Sequence, residues 1–422
     1  MPMIGNFILL AISLLIYAGY GILGLFYLIG AVVLSWSAGL LTKRWRWMAW
    51  ISIALNSLSL LMLKLQPLTG IGWLSVMGLS YFTLQIISYQ VDVYRSKYPP
   101  ERNFLRYALY VTWIPHLFMG PIERYDAMAP QLSTPRKITW EDISCGGIRI
   151  LVGAVKKLVI AARLGVLTAA ISADPEKYSG AFALAAMLMY AIQLYCDFSG
   201  GIDMVLGVSR MVGIRMHENF QTPYFSESVR EFWQRWHITL GAWLRDYIYI
   251  PLGGNRKGKL RKLCNTVITF LVSGLWHGVE YLLWGLLNGV FVCFGDRLKT
   301  RCKTVNRIGT FLAITFLWSF FVWPETATAL KMLLSVVTTW NYGTFFAGVG
   351  TLGLTPGDWI VLGAAVLLLW GYDLWSKKLS GWFAGRGPAA RVAVICCVGL
   401  LVLVFGMYGI GFDVDSFIYG GF

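Results

Sequence analysis

Ser273-Gly274-Leu275-Trp276-His277-Gly278 sets one of only four histidines inside an otherwise apolar segment, and whether that segment lies in lipid decides the fold. In hydrocarbon an ionisable side chain is costly to keep, so a ring at that depth is by default a functional-site hypothesis. Composition identifies the solvent. Hydrophobic residues make up 57% of the 422 positions and charged residues 14%, more apolar surface than a water-soluble chain of this length can hide.

Stretches of about 20 residues, the length a bilayer core requires, recur throughout. They are expected at Gly5 to Tyr20, Ile22 to Leu41, Trp45 to Leu63, Ile71 to Tyr94, Leu105 to Met119, Ile148 to Ile171 and Phe182 to Phe198. Later ones run from Val267 to Leu283, Trp284 to Phe294, Ile308 to Val322, Trp359 to Trp375 and Val392 to Ile410. The expectation is an all-α polytopic membrane protein of about ten to twelve spanning helices. No Lys or Arg precedes Lys43 and no small-residue cleavage pattern follows the first apolar run, so that run reads as a span and not as a cleaved signal peptide.

The net charge of +15 is concentrated in connections: Lys43 to Arg46, Arg95 to Arg106, Arg256 to Lys262, Arg297 to Arg307 and Lys377 to Arg391. The positive-inside rule puts these in the cytoplasm. Acidic or neutral connections at Asp174 to Glu176, at Glu325 and at the C-terminal Asp413 and Asp415 are then outside. Such basic segments are a membrane rim, and nucleic acid is not an expected partner. Seven cysteines, with no C-x-x-C and with Cys396 and Cys397 adjacent, form no disulfide framework. With no linker and no internal repeat, residues 1–422 read as one membrane domain: N-terminal spans in 1–80, a motif-bearing core in 115–288 and C-terminal spans in 289–422.

Between Phe225 and Gly258 aromatic and charged residues mix too densely for a span. Phe232, Trp236, Leu240, Trp243 and Tyr247 recur at helical spacing and predict an amphipathic helix. It is either an interfacial helix, with Glu231 and Arg235 paired at i, i+4, or one entering the protein interior. Pro251-Leu252-Gly253-Gly254, which breaks it and leaves backbone groups needing partners, favours the second.

Several soluble-enzyme motifs fail. Gly253 to Leu260 nearly spells a phosphate loop, but Leu260 stands where a hydroxyl must reach magnesium. G-x-S-x-G and H-E-x-x-H are absent, and no metal ligand set is expected from histidines so far apart.

The four histidines differ in setting. His217 falls in a loop and reads as solvated. His116, between Pro115 and Pro121, is either a positioning group or a partner for a carbonyl freed by the prolines. His237 is either catalytic or a hydrogen-bonded structural ring. His277 shares a face with Phe270 and Ser273, and Gly274 and Gly278 admit close approach of a backbone or substrate. A neutral imidazole is less costly to bury than a carboxylate or ammonium and accepts a proton near neutral pH. Beside an alcohol and an activated acyl group it removes the hydroxyl proton during attack, a contribution of about 10²–10⁴-fold. Asp197 and Asp203 orient a histidine, line a polar passage, or pair with Arg210 or Arg245; pairing is expected, because lone buried carboxylates are poorly tolerated.

Together these residues resemble the membrane-bound O-acyltransferase family, in particular its bacterial branch of alginate O-acetylation membrane proteins. The resemblance rests on Pro115-His116-Leu117 with Gly120-Pro121-Ile122, on Asp197-Phe198-Ser199-Gly200-Gly201-Ile202-Asp203-Met204, and on Glu218-Asn219-Phe220 with Pro223-Tyr224. It continues through Glu231 to Ile238, Trp243 to Arg256, Gly274 to Gly278 and Phe417-Ile418-Tyr419. It implies a ring of helices around a thinned centre, with a transmembrane tunnel joining a cytoplasmic acyl thioester to an outer acceptor. The family's essential histidine maps onto His277 and its second polar residue onto His237 or Asn219. Trp276, Ser273, Asp197, His116, Arg245 and Asn288 are candidates for binding or positioning substrate. The chain departs from the branch at Asn288, commonly histidine, and at Val322, often arginine.

The implied activity is transfer of an acetyl group for O-acetylation of an extracellular polysaccharide, directly or through a periplasmic or surface acetyltransferase partner. Acetyl-CoA is the expected donor and no bound cofactor is expected. Transfer of D-alanine from a carrier protein toward teichoic acid keeps the same fold. A channel or transporter using His116, Asp197 and Asp203 is the alternative of another class.

Overall fold

The structure, a computed structural model, describes residues 2–70 and 76–408. Its described secondary structure is helical apart from one isolated antiparallel bridge between Phe220 and Trp236. The N-terminal helices are α1 (Pro2–Ala18), α2 (Ile22–Thr42) and α3 (Trp47–Thr69). In α2 the small face of Gly24, Ala31, Ser35 and Gly39 is buried while Leu23, Phe26 and Val33 are exposed. That polarity suits a helix whose outer surface meets hydrocarbon. α4 (Leu79–Tyr94) is buried on almost every side.

The expected span Leu105 to Met119 is broken into α5 (Phe104–Thr112) and α6 (Ile114–Met119). Pro115 lacks an amide proton and cannot continue the ladder, which turns at Trp113. After α7 (Tyr125–Ser133), the stretch expected as a span from Ile148 to Ile171 is α8 (Trp140–Ala154), a π-helical segment Val155–Ala161 and α9 (Ala162–Ala173).

α10 (Ala181–Met211), 31 residues long and largely buried, is the central helix. Its approach to α8 rests on glycines spaced by seven. A Cβ on Gly200 would meet the Gly153 carbonyl at 2.7 Å, and one on Gly207 would meet the Gly146 carbonyl at 2.6 Å. Two backbones that close exclude any larger side chain.

The expected helix through Phe232 to Tyr247 is instead two short ones, α11 (Val229–Arg235) and α12 (Ile238–Leu244), followed by a π-helical segment Arg245–Tyr249. The break falls at His237, whose φ of 46° and ψ of 54° put a non-glycine residue in the left-handed region. Phe232, Trp236, Leu240 and Trp243 are nonetheless all buried, so the segment does enter the interior. The Glu231–Arg235 pair forms as expected, at 2.5 Å.

The segments Val267 to Leu283 and Trp284 to Phe294 form one tight hairpin of α13 (Gly258–His277) and α14 (Leu282–Phe294). A Cβ on Gly274 would meet the Tyr281 carbonyl at 2.6 Å and one on Gly285 the Phe270 carbonyl at 2.4 Å. α13 stops at His277, six residues short of the expected boundary, and the chain bends at Gly278. The remaining helices are α15 (Lys303–Val322), α16 (Thr326–Thr338), α17 (Tyr342–Val349), α18 (Pro356–Ala384) and α19 (Pro388–Phe405).

Among the described residues six helices are long and apolar enough to cross a membrane: α2, α3, α10, α15, α18 and α19. Three shorter apolar segments accompany them. The other expected spans are built, among the described residues, from shorter, broken or more polar helical pieces. α18 and α19 are the least buried of the six, and their Leu367, Leu368, Trp370, Leu403 and Val404 are exposed. With no water to serve the backbone in hydrocarbon, helices of this kind are the structure a multi-pass membrane protein requires. Asp413, Asp415, Phe417 to Tyr419, the end of the Val392 to Ile410 span and the start of the Ile71 to Tyr94 span lie outside the described residues.

Candidate active site

His277 ends α13 in a cage of aromatic rings. Trp276, Trp284, Phe321 and Tyr281 present to it at centroid distances of 4.8, 5.5, 5.5 and 6.3 Å, each close to perpendicular. Trp318 stacks on Trp284 behind this cage. The ring is buried. Edge-to-face contacts on several sides fix its orientation while leaving its nitrogens the polar atoms in an apolar surround.

His237 stands on the far side of Trp276, with ring centroids 6.1 Å apart, and packs against Phe198 of α10 at 4.9 Å. Its Nδ1 lies 3.4 Å from Oδ1 of Asn219. The same Asn219 oxygen accepts from the amide and the hydroxyl of Thr239, both at 2.9 Å. Asn219 Oδ1 thus serves the first turn of α12, where amide donors have no helical partner. With Nδ1 donating, Nε2 of His237 carries the lone pair. Neither that nitrogen nor Nδ2 of Asn219 meets a partner among the described residues, so both have hydrogen-bonding capacity for a ligand.

The local backbone explains why these two residues meet. The Phe220–Trp236 bridge, with Gln221 donating to the Arg235 carbonyl and Ile238 to the Asn219 carbonyl, zips residues 219–221 to the α11–α12 junction. Thr239 also receives the amide of Ile122 at 3.0 Å. The Gly120-Pro121-Ile122, Glu218-Asn219-Phe220 and Trp236-His237-Ile238 motifs therefore converge on one turn of helix.

Other candidates lie nearby. Trp276 donates its indole N–H to the Ser80 carbonyl at 3.3 Å. Asn288, fully buried, accepts the Trp233 indole N–H at 3.0 Å and donates to the Trp284 carbonyl at 2.9 Å, which puts it behind the His277 cage. Ser273 is buried one turn before His277.

The remaining candidates are engaged by other groups. Asp197 pairs with Lys157, and Asp203 with Lys156 at 2.7 Å and Arg149 at 3.0 Å. Pairing with Arg210 or Arg245 was expected, and this is corrected: the close α8–α10 approach brings the basic residues of α8 and its π-helical continuation onto the acids, while Arg210 reaches Glu141 and Asp142. Arg245 is exposed and pairs with Asp246. His116 donates from Nε2 to the Val111 carbonyl at 3.2 Å, one of those freed by the Trp113 break. His217 is in a loop, ion-paired with Glu123 at 2.8 Å.

Several contributors escaped the sequence reading. Tyr281, Trp284 and Phe321 form walls of the His277 cage. Lys64 of α3 places Nζ 3.4 Å from the carbonyl of His277. A lone lysine between Leu63 and Leu65 was the available signal.

Known proteins supply the context for this geometry. The chain is 38% identical over 337 residues to the probable alginate O-acetylase AlgI of Pseudomonas fluorescens, covering 75% of this chain and 67% of that protein. It is 32% identical over 297 residues to a peptidoglycan O-acetyltransferase of Helicobacter pylori, covering 62% and 56%. Similarity to a teichoic acid D-alanyltransferase of Streptococcus thermophilus is 27% over 306 residues, covering 67% and 72%. The matches to further alginate O-acetylases span only 51% to 58% of those proteins. The sequence profile of the membrane-bound O-acyltransferase family matches residues 34–338, a stretch that holds every residue of the cage and of the His237–Asn219 pair, and the chain belongs to that family.

Proposed function

We propose that the protein is a membrane O-acetyltransferase, moving an acetyl group from a cytoplasmic thioester, acetyl-CoA, to O-acetylate an extracellular polysaccharide. The observation that carries this reading is His277 held in its aromatic cage beside the His237–Asn219 pair, on the hairpin that the basic segment Arg256 to Lys262 leads into. The acetyl choice is supported by the relatives named as O-acetylating proteins, at 38% and 32% identity, against 27% for the D-alanyltransferase.

In the proposed step the acceptor hydroxyl oxygen attacks the thioester carbonyl carbon while His277 takes the hydroxyl proton. The tetrahedral centre collapses with cleavage of the carbon–sulfur bond. The imidazolium returns the proton to the leaving sulfur, so an ester and a free thiol form and the ring is restored. His237 and Asn219 offer polar atoms to substrate oxygen in a site otherwise closed by aromatic rings, where such interactions are strongest. On this reading the basic connections face the cytoplasm, where the donor arrives, and a passage through the helices brings the acceptor, or a partner acetyltransferase, from the other side.

The transport reading is less well served. Its three residues are engaged: His116 with Val111, Asp197 with Lys157 and Asp203 with Lys156 and Arg149. The deciding experiment supplies labelled acetyl-CoA to membranes carrying the full chain and follows label into surface polymer by mass spectrometry. Label in the polymer that is lost in His277→Ala, at equal protein abundance, is the expected result. Undiminished labelling in that variant overturns the assignment.

A further inference from the structure

Lys64 is a cation buried where hydrocarbon-facing sequence surrounds it. It lies in α3, is 7% exposed, and reaches across from the N-terminal helices to the carbonyl of His277 at 3.4 Å. On the other side of that carbonyl the chain turns at Gly278, and the carboxylate of Glu280 folds back over the turn. A Cβ on Gly278 would meet the two Glu280 oxygens at 2.6 and 2.8 Å. The charge of Glu280 also acts on Lys64. An ammonium from one helix and a carboxylate from the following turn therefore flank the bend that carries His277.

The end of α13 needs such a group. The last carbonyls of a helix have no helical donor and carry the negative end of its dipole. Here the residue at that end, His277, carries a ring enclosed by Trp276, Tyr281, Trp284 and Phe321, and its carbonyl is reached by the Lys64 ammonium. Burying an ammonium is costly unless it is paired or hydrogen-bonded, so the placement of Lys64 on this carbonyl, with Glu280 on the exposed side of the turn, points to specificity of position. An uncapped helix end can fray or wind one residue further, and either would swing the ring of His277 out of its cage.

We propose that Lys64 is a positioning residue of the acyl-transfer centre: by holding the His277 carbonyl opposite Glu280, it fixes the bend that aims the His277 ring. This rests on the acetyl-transfer reading. Its expected signature is a loss in turnover with little change in donor binding, because the ring is displaced and the donor site is not. A misplacement of about 1 Å costs up to about 10²-fold in rate.

The test uses membrane vesicles with the full chain and the cell's own surface polymer, supplied with labelled acetyl-CoA, with rates expressed per chain. Lys64→Met is expected to lower kcat roughly 10- to 100-fold with KM for acetyl-CoA within about twofold, and Lys64→Arg to recover most of it. Wild-type kcat in Lys64→Met, with His277→Ala silent in the same vesicles, overturns the inference and leaves the functional reading standing. A raised KM with kcat retained also overturns it, by moving Lys64 to donor binding. Full activity in His277→Ala removes the functional reading itself. If Lys64→Met does not accumulate, Lys64→Gln, which keeps a neutral donor, is judged by the same criteria.

Discussion

Asn219 and His237 are joined through one oxygen: Oδ1 of Asn219 lies 3.4 Å from Nδ1 of His237 and also holds the amide and hydroxyl of Thr239. The same residue therefore stabilises the start of α12 and selects the tautomer of the ring that precedes it. That ring sits at φ 46°, a conformation costing an L-residue roughly 1–2 kcal/mol. Strain of this kind persists where surrounding bonds over-determine it, often at functional sites. Asn219→Ala removes the acceptor and leaves a buried amide unsatisfied, a destabilisation of about 1–3 kcal/mol. Thermal unfolding in detergent should show it, and transfer from acetyl-CoA should fall by up to about 10²-fold as His237 turns. Wild-type transfer in a folded Asn219→Ala protein would remove the pair from the mechanism.

The glycines between α8 and α10 carry a second prediction. A side chain at Gly200 meets the Gly153 carbonyl at 2.7 Å and Cβ of Lys156 at 3.1 Å, so Gly200→Val must push the helices apart. Overpacking of this kind costs typically about 1–3 kcal/mol, and here it also separates Lys157 from Asp197 and Lys156 from Asp203. The unfolding midpoint should drop. Gly147→Ala, on the partner helix α8 with only Ile395 at 4.0 Å, should not lower it. Equal effects from the two substitutions are incompatible with a glycine-dependent crossing.

These cases show what could be read in advance. His277 was legible because a single ionisable ring interrupts an apolar run, and the aromatic face from Phe232 to Trp243 was legible because all its members are indeed buried. The break at His237 was not, because side-chain periodicity carries no record of one left-handed residue between two short helices. Partners for Asp197 and Asp203 were misassigned for a related reason. Gly146, Gly153, Gly200 and Gly207 decide which basic residues come within reach, and each is unremarkable until its counterpart on the other helix is known. Lys64 was hidden by its neighbours, since one lysine in a 23-residue helix does not lower its apolar character enough to stand out.

His217 and Glu123 give a pH prediction outside the spanning segments. The buried Glu123 carboxylate accepts from the backbone amide of His217 at 2.7 Å and from its ring at 2.8 Å. The hydrogen bond and the charge of that carboxylate raise the imidazole above its ordinary value of 6.5. A folded-state value above the unfolded one means the pair stabilises fully below about 6.5 and loses its contribution as pH rises through the raised value. Unfolding midpoints of wild type and His217→Gln should therefore differ most near pH 5.5 and converge in mildly alkaline buffer. Because the ring is largely exposed, solvent screening keeps the difference small. A gap that widens with increasing pH would contradict the pairing.

Asn288 tests how far the cage extends. It stands where the resembling branch commonly has histidine, yet it performs two bonds at once: the Trp233 indole donates to its Oδ1 and its Nδ2 donates to the Trp284 carbonyl. Trp233 in turn packs edge-on to Trp284 at 5.6 Å, and Trp284 is a wall of the His277 cage. Asn288→Ala leaves the Trp233 N–H without its acceptor in an apolar site, at about 1–3 kcal/mol. The indole can relieve that cost only by moving, and Trp284 moves with it. Turnover should then fall about tenfold or more while KM for acetyl-CoA changes little, since the disturbance reaches the ring and not the donor. Asn288→His restores a nitrogen able to accept from the indole, so it should retain most of the turnover that Asn288→Ala loses. Equal losses in the two variants would mean that Asn288 acts by its volume, and that the Trp233 bond does not transmit order to His277.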